Sequence, residues 1–341
     1  MTQGVMPVSK TIFRAGNQRT EQGLLVRKRH HMTFFGKLTG PERRATPPAL
    51  MAVSRSYRPE VWGLGKLAVR MLPQVIVDII SWIMVSGYCA LRPGRKEVVT
   101  ENLLPIFGGD RKAAGAAAGR LFKNFALKLI DLWRFEMGQP VHLENWSGWE
   151  HIKTARERNV GTLLVTAHLG NWEFGAPALV DRGIKLLVLT QAEPKGLTEV
   201  RQKSRARWGI ETLVVGTDSF AFLEVIKRLQ DGATVALLVD RPPAATKITV
   251  ELFGRPFAAS IAVAELARAS GCAVVPVCII RDQNGYSAQG LPEVYYDRRG
   301  LRELEARREL TQRIVRALEP AIREHPDQWY NFLPLWDGSS S

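Results

Sequence analysis

The segment TAHLGNWEFG (166–175) places His168 five residues before Glu173. On one straight helix of 3.6 residues per turn, these side chains would lie about 140° apart and could not meet. If His168 instead occupies a turn and Asn171 caps the next helix, Glu173 in its first turn can reach back to an imidazole nitrogen. Gly170 permits so tight a bend, because glycine adopts backbone conformations that other residues avoid.

Such a pair is suited to acid–base chemistry. A carboxylate on one ring nitrogen fixes the tautomer and stabilises imidazolium, which leaves the other nitrogen to take a proton from a hydroxyl. The alternative is a structural histidine followed by a glutamate that favours the start of a helix. For an isolated His and Glu this alternative is the more frequent one.

The elements around the pair predict an α/β fold. From Gly161 onward, continuous runs of Val, Leu and Ile alternate with helical segments, as expected for strands buried on both faces. We therefore predict a layered α/β domain with a largely parallel central sheet, in which His168 follows the first buried strand. In such sheets ligands bind outside the carboxyl ends of the strands. The predicted strands are GTLLVTA, KLLVLT, ETLVV, TVALLV, ITVELF and AVVPVCII, and the predicted helices are NWEFGAPALV, the basic stretch 201–208, FAFLEVIKRL and IAVAELARAS.

The first part of the chain has a different character. Residues 1–70 contain 13 Lys or Arg against 3 acidic residues, so most of the formal net charge of +14 lies there. Residues 1–55 show no apolar period, which favours a disordered basic leader or a translation start near Met51. Residues 95–137 have apolar residues at helical spacing and predict helices that pack on the α/β domain.

One long apolar run, LPQVIVDIISWIMVSGYCAL (72–91), predicts an N-terminal membrane-associated helix within an anchor over residues 56–91. Because basic residues flank the run on both sides, the positive-inside rule predicts no orientation for it in the membrane. Asp78 favours a helix that lies shallow or tilted in the membrane over one that spans it fully. A buried core helix is the alternative. The run starts too far from Met1 for a cleaved signal peptide.

Several classes of function lack their sequence signals. The three cysteines and scattered histidines predict neither a disulfide framework nor a metal site. No phosphate-binding loop, dinucleotide fingerprint or serine elbow occurs, so no cofactor is predicted. A mildly basic main domain argues against nucleic acid as a partner.

The H-x4-E box and the string HLGNWE resemble the late (lauroyl or myristoyl) acyltransferases of bacterial lipid A biosynthesis, within the lysophospholipid and glycerolipid acyltransferase superfamily. The resemblance extends from about residue 92 to 336, and 92–338 is the expected acyltransferase domain. Other blocks that carry it are ENLLPIFG (101–108), LLVD (237–240), LFGRPFAASIAVAELARASGCAVVPV (252–277) and PDQWYNFLPLW (326–336).

This resemblance implies an acyltransferase in which His168 is the general base and Glu173 supports it. It also implies substrate-binding roles near Arg205 and at Asp240; Arg201, Arg205 and Arg207 as a solvated helix face, and Asp240 as a simple turn residue, are the alternatives. For the oxyanion we predict backbone N–H groups near Asn171, or Arg241, as donors.

The implied reaction moves a fatty acyl chain from an acyl carrier protein thioester to a hydroxyl of a lipid A precursor or related glycolipid, at the cytoplasmic face of the bacterial inner membrane. The chain departs from the family in VDRPP (239–243) and NFLPLW (331–336), which leaves the acceptor open. A lysophospholipid or other membrane lipid is the nearest alternative, and a non-catalytic membrane-bound module is a further one.

Overall fold

The computed structural model describes residues 59–139, 143–191, 196–215, 219–282 and 285–336. The predicted leader over residues 1–55 lies outside these ranges. All described residues belong to one compact unit.

Within the described residues, four helices precede the sheet: α1 (Pro59–Met71), α2 (Gln74–Leu91), α3 (Pro93–Leu103) and α4 (Arg111–Glu136). Asp110 caps α4, because its carboxylate accepts hydrogen bonds from the backbone N–H groups of Lys112 and Ala113. Small residues in the first half of α4 are fully buried, namely Ala114, Ala117 and Ala118. They allow α3 to approach α4 closely.

Strands and helices then follow, largely in alternation. They are β1 (Leu143–Ser147), α5 (Trp149–Glu157), β2 (Thr162–Thr166), α6 (Trp172–Val180), β3 (Leu186–Gln191), α7 (Leu197–Ala206), β4 (Glu211–Val215), α8 (Ser219–Gln230), β5 (Thr234–Leu238), β6 (Lys247–Leu252), β7 (Arg255–Ser260), α9 (Ala262–Ser270), β8 (Ala273–Arg281), β9 (Tyr286–Gly290) and α10 (Leu304–Glu324).

Seven strands of the described part of the chain form one sheet in the order β1-β9-β8-β2-β5-β3-β4. The β8–β9 pair is antiparallel and the other neighbours are parallel, which confirms a largely parallel central sheet. β6 and β7 form a separate antiparallel hairpin.

The central strand β2 is buried on both faces, as its unbroken apolar run requires. Leu163 and Val165 enter the larger core, which also includes residues of α4, α8, α9 and α10. Leu164 points the other way, into a smaller core with α5 and α6. β2 therefore ends in the middle of the sheet, between two helical layers.

The predicted apolar segment forms α2, which follows α1 and a break at Pro73 and thus lies at 74–91 rather than at the N-terminus. Val77 is the one buried hydrophobic residue of α2, so the alternative of a buried core helix is wrong. The helix is long and apolar enough to cross a membrane, a criterion of length and composition alone. Its large exposed apolar side chains are Val75, Ile76, Ile79, Ile80, Trp82, Ile83, Met84, Tyr88 and Leu91.

A cluster of side-chain contacts holds α1 against α4. The indole of Trp62 donates a hydrogen bond of 2.8 Å to Glu136, and Lys66 lies 3.5 Å from the same carboxylate. Trp62 also meets Trp133 edge to face. Gly65 faces Trp133 so closely that a Cβ there would lie 2.5 Å from the ring.

Candidate active site

His168 lies in the turn between β2 and α6, as predicted. Gly170 makes the turn possible with φ +59°, and a Cβ at this position would lie 1.8 Å from the carbonyl oxygen of Ile279. The backbone N–H of Gly170 donates to the carbonyl of Gln328, and that of Asn171 donates to Ile279. Neighbouring elements thus fix the turn on both sides.

The partner of His168 is Asp240, which follows β5. The imidazole Nδ1 lies 2.7 Å from Asp240 Oδ1, and the backbone N–H of His168 donates to both carboxylate oxygens at 3.0 Å. β5 pairs in register with β2, so the residues that follow the two strands meet at one edge of the sheet. Asp240 is 3% exposed.

The other oxygen of Asp240 accepts hydrogen bonds from the segment 326–336. Trp329 Nε1 donates at 2.9 Å and Asn331 Nδ2 at 3.1 Å. The backbone N–H of Tyr330 donates to the carbonyl of His168 at 2.8 Å. Asn102 of α3 holds this segment in turn, through hydrogen bonds to the backbone of residues 331, 333 and 335.

The electrostatics keep the imidazole neutral and the carboxylate charged. Burial, aided by the positive charge of Arg241, lowers the pKa of His168 to about 4 despite the opposing effect of Asp240. Burial opposes ionisation of Asp240, but the imidazole, Arg241 and the hydrogen bonds outweigh it and hold its pKa below its usual value. A neutral imidazole with Nδ1 bonded to a carboxylate presents Nε2 as a proton acceptor.

Glu173 does not reach His168, which corrects the predicted contact. Its carboxylate is bound by two arginines of α7, Arg201 and, through Nη2 at 2.8 Å and Nε at 3.1 Å, Arg205. Burial opposes its charge, but Arg201 and Arg205 hold the pKa of Glu173 below its usual range. Asp240 occupies the imidazole nitrogen that the predicted arrangement reserved for Glu173.

The other predicted residues fall around this pair. Asn171 stands at the N-cap position of α6, but its side chain makes no capping hydrogen bond and instead donates to the hydroxyl of Tyr286 at 3.3 Å. Arg205 is 9% exposed, so a solvated helix face is wrong for it, whereas Arg207 is exposed. Arg241 Nε donates to Asn331 Oδ1 at 2.7 Å beside the dyad.

Of the backbone donors predicted for the oxyanion near Asn171, the N–H groups of Gly170 and Asn171 both bond to carbonyls. Within the described residues no group of three or more His, Cys, Asp or Glu side chains is arranged to hold a metal ion.

An apolar cavity of about 60 Å³ lies between α6 and the sheet. It extends from Thr166 and Trp172, which flank the His168 turn, into the interior of the smaller core. Most of its lining is aliphatic and includes Leu164, Ala176, Leu179, Val188, Ala236 and Val277.

Three residues of this site carried no predicted role. Trp329 and Asn331 lie in PDQWYNFLPLW, a block noted for its resemblance alone, and no local spacing links it to Asp240. Lys128 of α4 is buried, with its ammonium 2.9 Å from the ring centre of Trp172. A lysine within an amphipathic helix gives no sequence signal that distinguishes it from a surface residue.

The chain is 26% identical over 298 residues to a phosphatidylinositol mannoside acyltransferase of Mycobacterium tuberculosis strain H37Rv, a match that covers 84% of this chain and 90% of that protein. The phosphatidylinositol mannoside acyltransferase of M. tuberculosis strain CDC 1551 is likewise 26% identical, over 295 residues, with the same coverage. The model of the family described as bacterial lipid A biosynthesis acyltransferase matches residues 61–337. The His168–Asp240 pair thus lies within a match that spans nearly all the described residues, and the chain belongs to the bacterial lipid A biosynthesis acyltransferase family.

Proposed function

We propose that this enzyme transfers a fatty acyl chain from an acyl carrier protein thioester to a sugar hydroxyl of a glycolipid, with His168 as the general base. The hydrogen bond between His168 Nδ1 and Asp240 carries the proposal. It leaves Nε2 of a neutral imidazole to deprotonate the acceptor hydroxyl. No protein nucleophile is required.

The role of Asp240 in this proposal replaces the one first expected of Glu173. Asp240 orients the imidazole and stabilises the imidazolium that forms when the hydroxyl attacks. Glu173 instead ties α6 to α7 through Arg201 and Arg205. It supports the shape of the site without touching the base.

The cavity beside α6 favours an acyl substrate. A narrow space with aliphatic walls accepts methylene groups, because burial of each one contributes about 0.8 kcal/mol. Its proximity to the His168 turn suits a chain whose carbonyl end reaches the base while its tail lies against the sheet.

For the acceptor we infer a glycolipid, either a lipid A precursor or a related one. The family is described by lipid A and the relatives by a mannoside of phosphatidylinositol, and both are sugar-bearing lipids. The exposed apolar face of α2 is suited to binding the membrane that contains such an acceptor. An acyl carrier protein is soluble and acidic, so we assign the site to the cytoplasmic face of the inner membrane.

The test is a matrix of two donors and three acceptors. Purified protein in detergent is incubated with acyl carrier protein thioester or the matching coenzyme A thioester, and with a lipid A precursor, a phosphatidylinositol mannoside or a lysophospholipid. Mass spectrometry identifies the lipid that gains an acyl chain. We expect transfer from the carrier protein to a glycolipid; acylation of the lysophospholipid alone would overturn the assignment of the acceptor.

A further inference from the structure

Lys128 projects from α4 into the site and is 4% exposed. Its Nζ lies 2.9 Å from the ring centre of Trp172 and 5.2 Å from that of Tyr330. The imidazole of His168 meets the same indole of Trp172 edge to face, with ring centres 5.0 Å apart. The amine and the base therefore share one aromatic neighbour.

The burial of Lys128 is not compensated by an ion pair. Among the described residues it has no carboxylate within ion-pair distance and no hydrogen bond; its contacts are the two aromatic rings. Glu173 lies near enough to act on it electrostatically, but that carboxylate is already bound by Arg201 and Arg205. Burying an ammonium without a paired anion costs free energy, which the contacts with the two rings offset only in part.

The reaction, by contrast, needs a hydrogen-bond donor at this place. Attack on a thioester turns its carbonyl oxygen into an oxyanion, which requires donors aimed at it. The N–H groups of His168, Gly170 and Asn171 are bonded to other partners, and Arg241 Nε is bonded to Asn331. Lys128 brings N–H groups to the same site that are bonded to none of the described residues.

We propose that Lys128 is a catalytic residue that donates a hydrogen bond to the thioester carbonyl oxygen and stabilises the oxyanion formed on it. This rests on the proposed acyl transfer. Burial lowers the pKa of Lys128 well below its usual value, with Glu173 opposing the shift and Arg201 and Arg241 adding to it. The amine carries N–H donors in either protonation state.

The step balances within the site. His168 Nε2 takes the proton of the acceptor hydroxyl, the oxygen forms a bond to the carbonyl carbon, and the π electrons move to the carbonyl oxygen beside Lys128. When the carbonyl reforms, the carbon–sulfur bond breaks and the thiolate takes the proton from the imidazolium. The products are the acylated lipid and the free carrier thiol.

Lys128→Met tests this role, because methionine fills a similar volume and contacts Trp172 but has no N–H donor. Loss of one oxyanion donor costs about 10²- to 10³-fold in kcat, and we expect that loss with the KM for the thioester changed less than threefold. Lys128→Gln, which keeps a neutral N–H donor, should lie between the parent and Lys128→Met. Lys123→Met, on the exposed side of the same helix, is the matched control and should leave kcat unchanged.

Thermal unfolding separates catalysis from structure. Because the buried amine lacks an anionic partner, Lys128→Met should unfold at or above the temperature of the parent. A Tm that falls in parallel with activity in both Lys128 variants would assign the residue to the fold and overturn the proposal. If Lys128→Met alone fails to fold, Lys128→Leu, which also lacks an N–H donor, takes its place, and a kcat of Lys128→Leu within threefold of the parent overturns the role.

A parallel assay of His168→Ala distinguishes failure of the oxyanion role of Lys128 from failure of the proposed acyl transfer. Lys128→Met activity within threefold of the parent, with His168→Ala inactive, would overturn the oxyanion role and leave the proposed function standing. Full activity of His168→Ala would overturn the proposed function itself.

Discussion

At the scale of single residues, the site consists of a base and a carboxylate 72 positions apart in sequence. Sequence reasoning located His168, because a histidine directly after a buried strand stands at the edge where α/β sheets bind ligands. The predicted partner, Glu173, was wrong. The five-residue spacing shows that Glu173 lies close to His168 in the chain, but it does not show which cations surround the Glu173 carboxylate. Arg201 and Arg205 belong to another helix, so their ion pairs with Glu173 are tertiary contacts that the local sequence does not reveal.

We predict that His168→Ala lowers kcat at least 10²- to 10⁴-fold, the range that general-base catalysis contributes. The measurement is initial rate of lipid acylation, with the thermal unfolding curve as the control for folding. Activity within threefold of the parent would remove His168 from the mechanism.

Asp240→Asn should lower kcat nearly as much, because it changes the tautomer of the His168 imidazole. The amide oxygen would face the donors of Trp329 and Asn331, which turns the NH2 toward His168 Nδ1. The imidazole must then carry its proton on Nε2 and can no longer accept one. We expect kcat to fall about 10²- to 10⁴-fold, and a value close to that of the parent would contradict the dyad.

Glu173→Gln should lower the free energy of unfolding rather than remove a catalytic group. Removing the charge leaves a buried guanidinium, Arg205, and a partly buried one, Arg201, without their carboxylate. Breaking a buried pair in this way costs about 3–5 kcal/mol. Denaturant unfolding of the parent and the variant measures it. Unchanged stability combined with lost activity would return Glu173 to a direct role in catalysis.

The pH dependence follows from the lowered pKa of His168. The imidazole must be neutral to act, so activity falls as the pH drops through its pKa in the free enzyme, about 4, rather than through the usual 6.5. We expect kcat/KM to be flat between about pH 5.5 and 7.5. An acid limb centred near pH 6.5 would show that the imidazole is solvated.

At the scale of elements, the turn from β2 to α6 depends on one backbone conformation. Gly170→Ala would combine the strain of φ +59° with a Cβ 1.8 Å from the carbonyl oxygen of Ile279. Gly183→Ala is the matched control, since its φ of +75° imposes similar strain but no atom lies within 4 Å of the added carbon. We expect about 1–2 kcal/mol of destabilisation in the control and a variant that does not fold, or loses activity, at Gly170.

Elements were more predictable than the contacts between them. The unbroken Val, Leu and Ile runs identified β2, β3, β4, β5 and β8 of the sheet, because burial on both faces demands them. ITVELF, which was predicted with them, forms β6 of the separate hairpin instead. β1, β7 and β9 were missed because LENWS, RPFAAS and YSAQG have no such run. The support that residues 326–336 give to Asp240 was also missed, since hydrogen bonds between distant segments leave no periodic trace.

At the scale of the whole molecule, the exposed apolar face of α2 is the surface that we propose binds the membrane. Ile83 is 57% exposed, so a charge there should leave the fold intact but oppose burial in lipid by about 2.5–3.5 kcal/mol. We expect Ile83→Glu to lower binding to anionic phospholipid vesicles about 100-fold. Leu304→Glu, at a residue 58% exposed on α10, is the control and should bind as the parent does.

The support that Trp329 and Asn331 give to Asp240 also has a consequence for biosynthesis. Translation delivers α2 first, then His168 and Asp240, and the residues that orient the carboxylate only afterwards. With α2 as the proposed membrane-binding helix, a nascent chain engages the bilayer well before its dyad is complete. We expect ribosome-bound chains that end before residue 326 to associate with membranes yet transfer no acyl groups, so that the enzyme becomes active only after it has been placed at its lipid.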